Sequence, residues 1–183
     1  MLNVTEEEGA PFIMQILHFI WDLGLALLVV YLIITFVIQN TKVSGSSMEP
    51  TLHHHDAVII NKWIYYLKDP QQGDIIIFPY QGDPSKKYIK RIIALPGDLL
   101  DIQEGNIYIN GKKLEESYIT ESWIVKGNVV YPFSVPDDHY FVMGDHRDHS
   151  ADSRFEEVGT VKKNQIIGKA WVRIWPLKQF KIF

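Results

Sequence analysis

From Ile16 to Ile38 the chain is apolar except for His18, Asp22, Thr35 and one glycine. Taken as a helix rising ~1.5 Å per residue, that run reaches roughly 34 Å, enough to cross the hydrocarbon core of a bilayer. The pattern predicts a transmembrane helix over 16–38 after a short tail of residues 1–15, with a buried core helix as the alternative. A cleavable leader has a shorter apolar run, a basic start and a small-residue cleavage site. Here the start carries Glu6, Glu7 and Glu8, and the run leads into Gln39-Asn40-Thr41-Lys42, so the expectation is an uncleaved anchor. His18 and Asp22 lie four apart near its amino end, where interfacial water lowers their cost.

After residue 38 the pattern changes. Short apolar runs (Ala57–Asn61, Asp74–Phe78, Ile89–Leu95, Ile107–Ile109, Tyr140–Met143, Ala170–Trp175) alternate with turn residues, which predicts strands. Asn110-Gly111 between Ile107-Tyr108-Ile109 and Lys112-Lys113-Leu114 is a two-residue hairpin signal. Tyr65–Leu67 fits a short helix or a strand equally well. The polar stretch from Glu115 to Gly127 reads as an excursion from the core.

Composition narrows the chemistry. Cysteine is absent from the 183 residues, which excludes disulfides, a thiolate nucleophile, zinc–thiolate and iron–sulfur sites. The net charge of −4 gives no global cationic footprint for nucleic acid. Residues 43–183 carry 17 Lys and Arg against 18 Asp and Glu, close to neutral. By the positive-inside rule, Lys42 and the lack of basic residues on the amino side weakly favour a cytoplasmic location for the chain beyond the helix.

Four polar patches could carry chemistry. Val43-Ser44-Gly45-Ser46-Ser47-Met48-Glu49-Pro50-Thr51-Leu52 comes directly after the apolar run. Gly45 permits a tight backbone approach there, and a serine in such a turn could meet backbone N–H donors; a plain linker is the alternative. In Lys86–Asp98, read as a strand, Lys90 shares a face with Tyr88 and Ile92. A buried lysine could lose its proton and act as a base, whereas an edge lysine would only discourage aggregation. Met143–Arg154 is dense in hydrogen-bonding groups, with Asp152 and Arg154 placed to form an ion pair and Ser150 able to bond a catalytic amine. His53-His54-His55-Asp56 and His146-x-x-His149 invite a metal reading. Neighbours on an extended segment point to opposite faces, however, and HExxH is absent, so no metal or other cofactor is expected.

Together these patches resemble bacterial type I signal peptidases, membrane-bound serine proteases that remove signal peptides from exported proteins. Gly45–Leu52, Gly73–Phe78, Tyr88–Asp98 and Gly144–Arg154 match the family's four boxes in order, after an amino-terminal anchor. The compact size is similar to the Gram-positive branch. The resemblance implies a mainly β fold: an antiparallel β-sheet catalytic domain over 39–183, interrupted by a small inserted region near 103–136. It implies Ser47 as nucleophile and Lys90 as general base, with Gly45, Asp145, Ser150, Asp152 and Arg154 in oxyanion and supporting roles. Signal peptides of secretory preproteins and the lipid bilayer are the implied partners. The implied location is the cell membrane, single-pass, with the catalytic domain on the extracytoplasmic face. Such enzymes prefer small residues at the first and third positions before the cut. His146 departs from the family pattern, which commonly has asparagine after Gly-Asp, and Gly45 stands where some relatives have a hydroxyl residue.

Chain length adds a constraint independent of the resemblance. Ser47 lies nine residues past Ile38, so it reaches at most ~30 Å from the end of the apolar run. Trp63, Tyr65, Tyr66, Trp171 and Trp175 fit either an interfacial surface or ordinary core aromatics. A Ser–His–Asp triad remains compatible with the composition. A non-cutting anchored binding protein and a tethered hydrolase of lipids or small esters are the other classes. The second lacks the Gly-x-Ser-x-Gly elbow.

Overall fold

The structure is a computed structural model, described for residues 11–33, 37–119 and 124–183. The chain divides into two compact units, Met1–Val37 and Ile38–Phe183.

In the first unit, helix α1 spans Phe12–Leu32 and buries none of its side chains. Its 21 residues reach roughly 31 Å, matching a bilayer core. Pro11 precedes it at φ −54°, where the missing proline N–H costs a helix nothing. The helix therefore starts four residues earlier than the apolar run suggested. Ile38, placed at its end by hydropathy, instead opens a strand and lies opposite Asn61.

The second unit is built on antiparallel strands. In chain order they are β1 (Ile38–Lys42), β2 (Ala57–Asn61), β3 (Ile75–Tyr80), β4 (Asp83–Ala94), β5 (Leu99–Gln103), β6 (Asn106–Ile109), β7 (Lys112–Lys113), β8 (Phe133–Ser134), β9 (His139–Met143), β10 (Val161–Lys162), β11 (Gly168–Trp175) and β12 (Lys181–Ile182). Tyr65–Leu67 falls in a single helical turn, α2 (Ile64–Leu67), where Asn61 Oδ1 accepts from the Trp63 and Ile64 N–H groups. The main sheet runs β1-β2-β11-β3-β4-β9-β10, with β12 alongside β11. A second sheet runs β7-β6-β5-β8. It starts at Leu99 and stays in the same compact unit.

The stability of the main sheet is clearest at β3. Ile75, Ile76, Ile77 and Phe78 are all buried, because both faces of this central strand are covered. Ile75 and Ile77 pack with Val43, Met48, Leu52, Val58 and Ile60. Ile76 and Phe78 pack with Ile92, Tyr140, Val142 and Val161. A third cluster ties the second sheet to the first, joining Leu100, Ile102 and Ile107 to Ile93, Phe141 and Met143. The hairpin read from Asn110-Gly111 is present: Ile109 lies opposite Lys112, and both loop residues have positive φ, 51° and 78°. That is the twist a two-residue hairpin requires, and glycine adopts it without strain.

Strand β4 positions the site. Its carboxyl half is sandwiched between β3 and β9, where Arg91, Ile92 and Ala94 lie opposite Met143, Val142 and Phe141. Asp83 and residues 87–90 pair with β3 but not with β9. Burial switches on at Lys90, and every residue from there to Ala94 is buried.

Candidate active site

The segment after β1 is pinned by its apolar residues. Val43, Met48 and Leu52 are buried, and the Leu52 N–H donates to the Met48 carbonyl. Ser47, immediately before Met48, is left half-buried at the mouth of a cleft of about 700 Å³. One wall of the cleft is Asn40–Met48 and the other is Ser85 with Lys87–Lys90; His149 and Ala151 close part of the rim.

Across this cleft the Lys90 ammonium nitrogen, Nζ, lies 2.7 Å from Ser47 Oγ. Lys90 is 4% exposed, and its Nζ sits 5.2 Å from the centre of the Tyr88 ring. Burial pushes its pKa down to about 8. The Arg154 charge pushes in the same direction, while Asp152 and Asp145 oppose it. Desolvation wins because the charged form loses far more water than two carboxylates at a distance return. At that value about one molecule in ten carries neutral Lys90 at pH 7, against about three in ten thousand at the ordinary lysine value.

The 144–154 loop folds against the nucleophile segment through backbone contacts. The His146 N–H donates to the Ser47 carbonyl at 3.1 Å, and the His146 ring nitrogen Nδ1 lies 3.3 Å from the Ser46 carbonyl. Gly144 fits between them: a Cβ there would stand 2.3 Å from both the Ser47 carbonyl oxygen and Ser150 Oγ. Asp152 accepts the Gly144 N–H with Oδ2, and it also forms a bidentate pair with Arg154 at 2.8 and 2.9 Å. Asp152 and Arg154 are fully buried. Asp145 makes no hydrogen bond to Ser47 or Lys90; it grips Arg91 through both carboxylate oxygens at 2.8 and 2.6 Å.

Two candidates behave differently from the expectation. Ser150 is buried, and its hydroxyl has no hydrogen-bond partner among the described residues, so the bond to the lysine amine is not made. Nothing lies within 4 Å of a Cβ built on Gly45. Its φ of 98° calls for glycine, rather than a close approach of another chain segment, and its N–H donates to His54 Nδ1.

The residues that reading the sequence missed are the arginines and their partners. Arg91, the neighbour of Lys90, carries the Asp145 pair, and its guanidinium stacks 3.8 Å from the Tyr118 ring. Arg147 is 1% exposed and forms a bidentate pair with Glu116. The stretch read as an excursion thus returns to the catalytic loop with Glu116 and Tyr118, though its residues 120–123 lie outside those described. Two adjacent glutamates, Glu115 and Glu116, in a polar segment carry no local mark that tells the one with the buried side chain from the exposed one, so no sequence signal singled out Glu116.

A family model described as signal peptidase, peptidase S26, matches residues 16–175. The chain belongs to this family. A probable signal peptidase I-2 of Synechocystis is 43% identical over 78% of this chain, which spans 66% of that relative's length. The signal peptidase I P of Bacillus subtilis subsp. natto is 35% identical over 91% of this chain and 93% of its own. A solved signal peptidase I from Enterococcus faecalis aligns with 56% of this chain and 97% of its own at 31% identity, with a TM-score of 0.45. Family membership covers all four boxes, since each lies inside the matched span.

Proposed function

We propose that this chain is a membrane-anchored signal peptidase that removes signal peptides from exported preproteins, with Ser47 as nucleophile and Lys90 as general base. The observation that carries this reading is the 2.7 Å approach of a buried, pKa-lowered lysine amine to a serine hydroxyl at a cleft. In the neutral form, Lys90 takes the Ser47 proton as Oγ attacks the scissile carbonyl, forming the C–O bond. The tetrahedral oxyanion is met by the backbone N–H of Ser47, the donor we assign to the oxyanion hole. Collapse breaks the C–N bond, and the ammonium of Lys90 returns its proton to the leaving amine. A water, deprotonated by the same amine, then releases the acyl group from Ser47.

The roles of the supporting residues rest on their contacts. Asp152 and Arg154 hold Gly144 against Ser47, and Asp145 fixes the strand neighbour of Lys90. Ser150, whose buried hydroxyl has no partner among the described residues and lies against the same Gly144 as the Ser47 carbonyl, is assigned the role of taking up the amine as protons move. The outer edge of β4 over 87–90, which pairs with β3 and not with β9, supports an extended peptide as substrate, because it offers main-chain hydrogen bonds along one wall of the cleft. The helix α1 supports anchoring in the bilayer, and the substrate class places the catalytic unit on the extracytoplasmic face. A triad would require a histidine at Ser47 Oγ, where the structure has Lys90.

Cleavage of a purified preprotein in detergent micelles tests the reading. Wild type is expected to make one cut after a small residue, mapped by amino-terminal sequencing of the product. Ser47→Ala and Lys90→Met are expected to abolish it. Cleavage that survives either substitution would refute the dyad, and a folded wild type inert against several preproteins would favour a non-cutting binding protein.

A further inference from the structure

We propose that Glu116 and Tyr118, contributed by the polar segment between β7 and β8 of the second sheet, are positioning residues for the catalytic serine and lysine. The inference rests on the Ser47–Lys90 reading and extends it to residues outside the four matched boxes. Both belong to one closed hydrogen-bonded and stacked network. Glu116 receives two N–H donors from Arg147 and the hydroxyl of Tyr118. Burial and the neighbouring Glu116 push the Tyr118 pKa up, so its hydroxyl stays protonated and donates. The guanidinium carbon of Arg91, the residue directly after Lys90, sits over the Tyr118 ring at 3.8 Å from its centre, and Arg91 in turn grips Asp145 in the catalytic loop.

At the other end, Arg147 Nε donates to the Gly144 carbonyl at 3.0 Å. Gly144 also donates its N–H to Asp152, and it leaves so little room that an added Cβ would run into the Ser47 carbonyl and the Ser150 side chain. One carboxylate therefore steadies both sides of the dyad: the serine side through Arg147 and Gly144, and the lysine side through Tyr118 and Arg91. The side chains of Glu116 and Arg147 are 4% and 0% exposed. In such surroundings a planar, bidentate pair fixes position as well as charge. Neither Glu116 nor Tyr118 lines the catalytic cleft, so both act on the chemistry only through other residues.

This separates a positioning role from a binding role. A nucleophile displaced by a fraction of an ångström loses turnover, whereas the cleft that receives the peptide is unchanged. The experiment is steady-state kinetics of full-length Glu116→Gln in micelles with a preprotein substrate. The rate is expressed per folded molecule, using circular dichroism and a melting curve to choose a temperature well below unfolding. Expected is a fall in kcat of about 10- to 100-fold with KM within about twofold of wild type. An unchanged kcat, or a raised KM at unchanged kcat, would overturn the proposal and leave the network a purely structural tie. If Glu116→Gln fails to fold, Tyr118→Phe decides by the same criterion, since it keeps the stacked ring and removes only the hydroxyl donated to Glu116. Wild type and Ser47→Ala run alongside. A wild type that does not cut, or a Ser47→Ala that does, would mark failure of the dyad rather than of this inference.

Discussion

Lys90 is the general base of the proposed mechanism, and its burial has a sign that can be checked. A lysine whose folded pKa is lowered from 10.5 to about 8 destabilises the fold wherever the unfolded chain holds the proton more tightly. The penalty is full below about pH 8 and disappears as pH rises past the unfolded value. At about 1.4 kcal/mol per pKa unit it amounts to about 3 kcal/mol, less whatever the bond to Ser47 returns. Lys90→Met is therefore expected to be more stable than wild type in urea denaturation at pH 6–7, with the gain shrinking by pH 10. A variant less stable at pH 6 than wild type would show that the ammonium is well solvated. Gly144 is the other residue with a narrow tolerance. Alanine would force its Cβ against the Ser47 carbonyl and Ser150 Oγ, and Gly144→Ala is expected to lose about 1–3 kcal/mol of stability together with most turnover. Full activity in this variant would mean that the two loops have room to separate.

At the scale of elements, β2, β3, β4, β6, β9, β11 and the hairpin into β7 were legible, because short apolar runs and Asn-Gly chemistry are local signals. Strands β1, β5, β8, β10 and β12 were not read, nor was the turn that carries Glu116 and Tyr118. Strand β1 (Ile-Gln-Asn-Thr-Lys) is an edge strand held by pairing with β2; its Ile38 continues the apolar run of the helix and its other four residues are polar, so hydropathy gave the first to the helix and saw no strand in the rest. Glu116 and Tyr118 were invisible for a different reason: their burial depends on arginines that are distant in sequence and meet them only in the folded chain. Ser47 and Lys90 were selected by motif resemblance, whereas spacing alone left Ser44, Ser46, Lys86 and Lys87 open. The loop that bears Asp152 and Arg154 holds a fully buried ion pair, in which Asp152 supplies the charge opposite Arg154 while backbone carbonyls take the other guanidinium donors. Removing one partner leaves a buried charge uncompensated, so Asp152→Ala is expected to cost about 3–5 kcal/mol. Chemical denaturation at pH 7 measures this, and a loss under about 1 kcal/mol would show that Arg154 finds other acceptors.

For the whole molecule, the two-unit division carries its own expectation. The antiparallel core begins at Ile38, and its three apolar clusters draw only on residues from Val43 onward. A chain starting at Ile38 is therefore expected to unfold cooperatively with the melting temperature of the full-length protein in micelles. Loss of cooperative unfolding would show that α1 contributes to the core. The same scale bears on mechanism, because the catalytic unit contains both a lysine and several histidines within reach of the nucleophile segment. Which group controls the reaction is read from its pH dependence.

The pH profile of kcat/KM for preprotein cleavage tests the central claim most directly, since it reports ionisations of the free enzyme. With Lys90 as the base, the rate is expected to rise tenfold per pH unit on the acid side and level off near pH 8, the value to which burial lowers this amine. A plateau already reached by about pH 6.5, where histidine titrates, would contradict the lysine base and return a histidine to the reaction.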